Sequence, residues 1–427
     1  MTHLHLHRAL ALTLAPVLAF AGAAAQTDTV AITNAQLLTA SGPAIERGTI
    51  VIRDGKIVSI GAGVPAPAGA RVIDGSGKVV TPGFVDSGTQ IGIVEISLSA
   101  DGTADERTTD RELGAAFRVV DAFNPNSTVL PVTRLEGVTR AMVMAQSTGG
   151  VFVGQAAVFD LGGAHAPASV HKSPAAVVAI LGEAGAAAAG GSRATAMLRL
   201  REALQDALDF SRHRLAFNTG QRREYAPSRL DLEALVPVVQ GTVPLAVQVH
   251  RASDILAALR LGDEFKLRMV ILGAAEGWMV AGELARRKVP VVVKPLTNLP
   301  AFDTLGATLE NAARLAKAGA VVAIASFDTH NARNLRQEVG NAIAYGLDRA
   351  TALQAVTIVP ARTWGVADRI GSLGAGKDAD VVVWSGDPFE LTTAAELVFI
   401  GGREMPKNSR QLQLLDRYKD VGTMPRR

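Results

Sequence analysis

The sequence predicts an α/β protein in which a body of alternating strands and helices lies between β segments from both chain ends. Residues 30–80 alternate apolar and polar positions, and Asp54-Gly55 supplies a hairpin turn signal. After them, apolar runs of four to seven residues alternate with helical stretches. Residues 369–405 return to β patterning. This order is typical of βα units that build a parallel sheet, with an additional β unit shared by the two ends.

The body can be assigned element by element. Each apolar run before a helical stretch is a candidate strand of the parallel sheet. We predict strands at 82–88, 139–145, 244–250, 268–273, 289–295 and 320–328, and helices at 253–261, 276–287, 303–318 and 332–347. The simplest arrangement is a barrel of residues 81–364, a β-sandwich of 26–80 and 365–405, and a surface tail of 406–427.

Residues 1–25 are predicted to form a secretory signal peptide. Arg8 precedes an apolar run, and three alanines before Gln26 offer a small-residue cleavage site. The run is too short for a comfortable membrane span. We therefore expect a periplasmic or secreted protein that is not attached to the membrane after cleavage.

Composition excludes several function classes. An apolar fraction of 48% is enough for a large core, so disorder is excluded as the main state. The formal charge is +3 with both signs dispersed, and aromatic residues are 4%, which argues against a nucleic-acid binder. Because the chain has no cysteine, disulfides, cysteine-zinc sites and thiol nucleophiles are excluded.

An ordered set of short motifs spans most of the chain. They are TPGFVD (81–86), LEGVT (135–139), a strand that ends at His250, ALQAVT (352–357) followed by Pro360-Ala361, GSL (371–373) and GKDAD (376–380). Together they resemble the amidohydrolase superfamily, and most closely its imidazolonepropionase-like group, over about residues 30–405. The resemblance implies a distorted (β/α)8 TIM-type barrel with a β-sandwich formed from both chain ends. Its chemistry would lie at the carboxyl ends of the barrel strands.

The resemblance also implies one or two divalent metals that convert bound water into a nucleophile. Such a site needs imidazoles at the end of the first strand, in an Asp-x-His-x-His motif. Here that motif begins at Asp86, and both imidazoles are replaced, by Gly88 and Gln90. The imidazole expected after the sixth strand is replaced by Gly273, and no match for the fourth-strand ligand is found.

Two expected positions survive. His250 matches the fifth-strand ligand, and Asp328 matches the eighth-strand aspartate, to which the resemblance gives the catalytic transfer of a proton to the leaving nitrogen. His330 follows two residues later and could complete a ligand trio of His250, Asp328 and His330. The alternative is that His250 and Asp328 are retained polar contacts. The cofactor prediction is accordingly either one weakly bound divalent ion, zinc or similar, or none.

Two functions remain open. The resemblance implies hydrolysis of non-peptide C–N bonds in cyclic amides or small peptide-like substrates. The missing imidazoles favour the alternative of a non-catalytic pseudo-hydrolase that binds a ligand or supports a partner. Either way we expect a small-molecule ligand, with assembly as a homo-oligomer or with an intact relative.

The sequence also gives expectations for four further residues. Lys294 could bind an anionic group or cap its strand at the surface, and the cap is favoured. Glu95 could act as a general acid or base, although a structural carboxylate is the simpler expectation. His213 is expected to be solvated, and His171 is expected in a loop.

Overall fold

The computed structural model describes residues 29–95, 104–108, 110, 114–163 and 166–419. The predicted signal peptide lies outside the described residues. The strands are β1 (Val30–Leu37), β2 (Ile45–Arg53), β3 (Lys56–Ala62), β4 (Arg71–Asp74), β5 (Val79–Pro82), β6 (Phe84–Thr89), β7 (Val138–Val143), β8 (Phe152–Asp160), β9 (Val170–Ile180), β10 (Leu245–Val249), β11 (Met269–Gly273), β12 (Val291–Val293), β13 (Val322–Ile324), β14 (Val381–Trp384), β15 (Ala395–Ile400) and β16 (Arg403–Glu404). The helices are α1 (Val129–Arg134), α2 (Ala166–Ser169), α3 (Gly182–Ala188), α4 (Arg193–Asn218), α5 (Arg229–Val239), α6 (Ala252–Phe265), α7 (Ala281–Arg287), α8 (Asn311–Lys317), α9 (Leu335–Ala344), α10 (Arg349–Ala355), α11 (Ile358–Thr363) and α12 (Arg410–Tyr418).

One sheet is built from both ends of the chain. Its order is β16-β15-β14-β5-β1-β2-β3, and β4 pairs with β1. The two ends meet where β14 runs antiparallel to β5, with Val381 opposite Pro82. Apolar side chains on its inner face, such as Ile32 and Ile50, form a core of their own. The predicted β unit shared by the chain ends is therefore confirmed, while the domain limits along the chain stay predictions.

The second sheet is a nearly closed barrel. Its strands β6 to β13 lie side by side in chain order. The barrel approaches closure between its first and last strands, where the backbone amide of Phe327, just after β13, donates to the carbonyl of Gly88 on β6 at 2.9 Å. Five of the seven strand pairs are parallel, whereas β8 runs antiparallel to both β7 and β9. The predicted distorted α/β barrel is confirmed.

Helices cover the outside of this barrel close to the predicted places. α6, α7, α8 and α9 overlap the four predicted helices, and each buries apolar side chains against the strands. In the predicted tail, α12 has no buried residue. His213 lies on α4, where its Nδ1 is 2.9 Å from an Asp209 carboxylate oxygen. Within the described segments, no helix is both long and apolar enough to cross a membrane.

A buried ion pair joins the barrel to the C-terminal β segment. Arg140 on β7 donates to both carboxylate oxygens of Asp380, from Nε at 2.6 Å and Nη2 at 3.0 Å. Both side chains are about 5% exposed. His171, which was expected in a loop, lies instead on β9, 3.3 Å from the same guanidinium. Burial, and then the charge of Arg140, lower the pKa of His171 to about 4. The histidine is therefore neutral and belongs to this structural junction.

Candidate ligand site at the barrel mouth

A large cavity opens at the carboxyl ends of the barrel strands. Its volume is about 1070 Å³, and its wall comes from the ends of β6, β9, β10, β11 and β12, from α3 and from the segment after β12. This is the end of a barrel at which ligands and catalytic groups are found. The cavity is therefore the candidate site, and the predicted residues can be placed against it.

His250 and Gly273 lie side by side in this wall. Gly273 has a φ of +87°, and a Cβ at this position would lie 2.7 Å from His250 Nδ1 and nearer still to Cε1. The imidazole of His250 thus occupies the space that a side chain at position 273 would need. Burial lowers the pKa of His250, against the opposing charge of Asp303. Its neutral ring makes no hydrogen bond with the described residues, and so offers one donor and one acceptor.

At the end of β6 an aromatic ring fills the corresponding space. A Cβ on Gly88 would lie 2.7 Å from Cε1 of Phe327 and 3.2 Å from Cε of Met144. Two residues later, Gln90 is 4% exposed, and its Nε2 makes a long contact of 3.4 Å to the carbonyl of Met144. Its Oε1 is buried and has no hydrogen-bond donor among the described residues. The side chain of Gln90, just after β6, therefore lies in the cavity wall, and its amide oxygen is buried and unpaired among the described residues.

Asp328 and His330 lie beside this wall. The carboxylate of Asp328 accepts hydrogen bonds from the backbone amides of Thr329 at 2.7 Å and Asn331 at 3.2 Å. Nδ1 of His330 is 4.0 Å from this carboxylate and, although buried, has no hydrogen-bond partner in the described part of the chain. The ring of Phe327, rather than either of these side chains, forms the cavity wall here.

The predicted ligand trio is not assembled. His250 faces the cavity next to Gly273, while Asp328 is held in its own turn beside His330. Across the described ranges, no group of three or more His, Asp or Glu side chains is placed to hold a metal ion. The end of β9, where a fourth-strand ligand was sought, brings Ile180 to the cavity. These side chains do not fit the binuclear metal centre that the resemblance implies.

Carboxylates gather behind the wall, around Lys294. Lys294 follows β12 and lines the cavity, so the surface cap that the sequence favoured is wrong. Its Nζ is 3.9 Å from Oδ2 of Asp328. Burial raises the pKa of Asp86 to about 6, although its carboxylate accepts hydrogen bonds from Ser326 and Gly88. Burial likewise raises the pKa of Glu338 to about 7.

Glu338 was not predicted from the sequence. The residue lies on α9 three positions after the buried Leu335, and its carboxylate accepts the backbone amide of Leu296 at 2.7 Å. A carboxylate on the apolar face of an amphipathic helix is the signal that could have identified it. Glu95, by contrast, has the structural role expected of it, because it accepts hydrogen bonds from Asn124, Ser127 and Thr128.

Comparisons with known proteins agree with the fold. Residues 264–408 match the sequence profile of the Amidohydrolase family. Amidohydrolase tasK of Hapsidospora irregularis is 24% identical over 388 residues, which are 83% of this chain and 39% of that protein. The chain thus spans about two fifths of the length of this curated relative.

Solved structures extend the comparison. An amidohydrolase from Thermotoga maritima MSB8 has 27% identity and a TM-score of 0.80, and the match covers 89% of this chain and all of that one. Molinate hydrolase has 19% identity and a TM-score of 0.53, with 94% and 98% of the two chains covered. An adenosine deaminase from Xanthomonas campestris with bound zinc has 18% identity and a TM-score of 0.51, with 91% and 97% covered.

Proposed function

Because the chain carries an amidohydrolase family domain on the amidohydrolase fold, we propose that it binds a small molecule in the mouth cavity without a binuclear metal centre. Members of this family are typically metal-dependent hydrolases. The proposal is that this chain keeps the ligand site of such an enzyme, with a depleted metal site. The ligand would be a small amide-bearing molecule of the kind that such enzymes hydrolyse.

One observation carries the proposal. At two positions where the resemblance expects imidazoles, the chain has glycines, and the space beside each glycine is filled by another side chain. The ring of Phe327 fills the space at Gly88, and the ring of His250 fills the space at Gly273. Because protein interiors are close-packed, a ligand side chain could enter either place only after these rings moved.

The polar groups of the cavity suit an amide. A neutral His250 supplies one donor and one acceptor, and Lys294 supplies donors. An uncharged amide offers both a carbonyl acceptor and an N–H donor. A volume of about 1070 Å³ is ample for a cyclic amide or a dipeptide.

Hydrolysis of a non-peptide C–N bond at the same site is the second candidate. The family domain and structural neighbours such as molinate hydrolase favour it. In that case the site would use a single, weakly bound divalent ion, and Asp328 would carry the proton to the leaving nitrogen. The hydrogen bonds that Asp328 accepts within its own turn weigh against this candidate.

Calorimetry with a small panel tests the binding proposal. We would titrate hydantoin, dihydrouracil and the dipeptide Ala-Pro into the protein, with and without EDTA. Binding that survives EDTA, without turnover, supports the proposal, whereas EDTA-sensitive turnover supports the second candidate. The variant Ala187→Trp fills the mouth and should abolish binding, while Ala66→Trp, in an exposed loop, should not.

Export and assembly are separate proposals. The composition of residues 1–25 supports a periplasmic or secreted location after cleavage. Assembly, as a homo-oligomer or with an intact relative, would give the pseudo-hydrolase a supporting role. Light scattering of the purified protein, alone and mixed with an intact relative, tests this part.

A further inference from the structure

We propose that Lys294 is the built-in cation of the barrel mouth, in the region where the resemblance expects a divalent ion, and that its ammonium binds the carbonyl oxygen of the ligand. The inference rests on the proposed function, because it takes the cavity to be a ligand site without a binuclear centre. It goes further in two respects: it names the residue that would hold the ligand, and it states that the ligand is uncharged.

Lys294 interacts electrostatically with three carboxylates from different elements. Asp86 comes from β6 and Glu338 from α9, and they are 0% and 3% exposed. Asp328 follows β13, and its Oδ2 is 3.9 Å from Lys294 Nζ. The positive charge of Lys294 acts on both Asp86 and Glu338. Lys294 is thus shared by the whole acidic cluster of Asp86, Asp328 and Glu338.

The acidic cluster needs a cation. Neutral groups solvate its buried members, since Asp86 accepts hydrogen bonds from Ser326 and Glu338 accepts one from the backbone of Leu296. The positive charge of Lys294 acts on both buried members. Burying carboxylates close together without a compensating charge is costly. An ion could compensate them in a metal-dependent relative, whereas here a side chain of the chain itself does so.

Lys294 still has donors to offer a ligand. Its ammonium makes no hydrogen bond with the described residues, and 3.9 Å to Asp328 is too long for one. The side chain is 27% exposed and lines the cavity. Its donors can therefore reach a ligand atom in the mouth.

The surrounding charges select a neutral ligand. The acidic cluster cancels the charge of Lys294, so a ligand carboxylate would be repelled by the carboxylates behind the ammonium. Arg107, a second cation in the cavity wall, is already hydrogen-bonded to Glu106 through Nε at 2.7 Å. A carbonyl oxygen accepts from Lys294 without adding a charge, and the neutral ring of His250 in the same wall can accept from the ligand N–H. These groups point to an uncharged amide rather than to a carboxylate or a phosphate.

Removing the charge of Lys294 tests the inference, with Mn²⁺ alone as the probe. We expect Lys294→Met and Lys294→Gln to bind Mn²⁺ at least about tenfold more tightly than the unchanged protein, because the acidic cluster then needs another cation. Lys294→Arg keeps the charge and should bind Mn²⁺ as weakly as the unchanged protein. Lys317→Met removes an exposed lysine on α8 and serves as the matched control.

Each outcome decides the question. Unchanged Mn²⁺ affinity in folded Lys294→Met or Lys294→Gln would overturn the inference. If both of these variants fail to fold while Lys294→Arg folds, the result supports the need for a cation at this position. If Lys294→Arg also fails to fold, the positive charge is not what matters and the inference is wrong. Two tightly held ions in the unchanged protein would instead overturn the proposed function.

Binding of hydantoin tests the second part. We expect Lys294→Met to lose hydantoin binding and Lys294→Arg to retain most of it. Equal affinity in all variants would show that another group holds the carbonyl. If the unchanged protein binds none of the amides, the proposed function fails, and the Mn²⁺ comparison still decides whether Lys294 is the built-in cation.

Discussion

The substitution Gly88→Ala probes whether the ring of Phe327 fills the place on β6 where the resemblance expects an imidazole. Gly88 is not among the glycines with positive φ, so alanine can adopt its backbone conformation without strain. The added methyl group would lie 2.7 Å and 3.1 Å from two ring carbons of Phe327. Any loss of stability is therefore a contact effect, caused mainly by one side chain.

The expected size follows from two opposing effects. Overpacking of this kind typically costs about 1–3 kcal/mol. Replacing glycine by alanine where the backbone allows it stabilises by roughly 0.4–1 kcal/mol, through the unfolded chain. Gly88→Ala alone should therefore lower the free energy of unfolding by about 1 kcal/mol. In the Phe327→Ala background, where the ring is absent, Gly88→Ala should raise the free energy of unfolding by roughly 0.4–1 kcal/mol.

Urea denaturation of the four proteins in this double-mutant cycle measures the reversal of sign. Gly150→Ala is the matched control, because a Cβ there meets no atom within 4 Å and the backbone φ is not positive. It should be neutral or slightly stabilising in both backgrounds. If Gly88→Ala has the same effect with and without Phe327, the ring does not fill this space and the reasoning is refuted.

Three further predictions concern the scaffold. Arg140→Met leaves Asp380 without its buried cation and should lower the free energy of unfolding, measured by urea denaturation, by about 3–5 kcal/mol. Arg199→Met, at an exposed ion pair, should lower it by less than about 1 kcal/mol. Equal losses would contradict the role given to the buried ion pair of Arg140 and Asp380. Deletion of residues 369–427 removes β14, which pairs with β5, together with β15 and β16, and should aggregate the remainder. A soluble, cooperatively melting product would contradict the shared sheet. N-terminal sequencing of the exported form should begin at or near Gln26, and an intact Met1 on membrane-bound protein would contradict the signal peptide.

Local patterns were sufficient to predict most of the fold. The apolar runs that end at His250 and Gly273 form β10 and β11, because a fully buried parallel strand reads as a short continuous apolar segment. Two barrel strands, β9 and the antiparallel β8, were missed, and β8 shows the reason. It begins within a glycine-rich stretch, where Gly154 has a φ of +119° and a Cβ would lie 2.6 Å from the carbonyl of Phe117. Such a close approach depends on a distant segment, which a local pattern does not reveal.

The candidate site was predictable only in part. The replacement of imidazoles by Gly88 and Gly273 can be read directly from the residues, given the resemblance. The side chains that fill the space beside these glycines cannot be read from the sequence, because their positions depend on the side-chain conformations of Phe327 and His250. The acidic cluster was missed for a related reason: Glu338 and Lys294 are 44 residues apart and meet only when the barrel closes.

Metal content tests the central claim most directly. The protein, purified from cells supplied with zinc, manganese and iron, would be dialysed mildly and analysed for these elements. Because the side chains around Gly88, Gly273 and His250 do not form a ligand set, we expect well under one equivalent per chain. Two tightly held equivalents, together with hydrolase activity that is abolished by Asp328→Asn, would contradict the account.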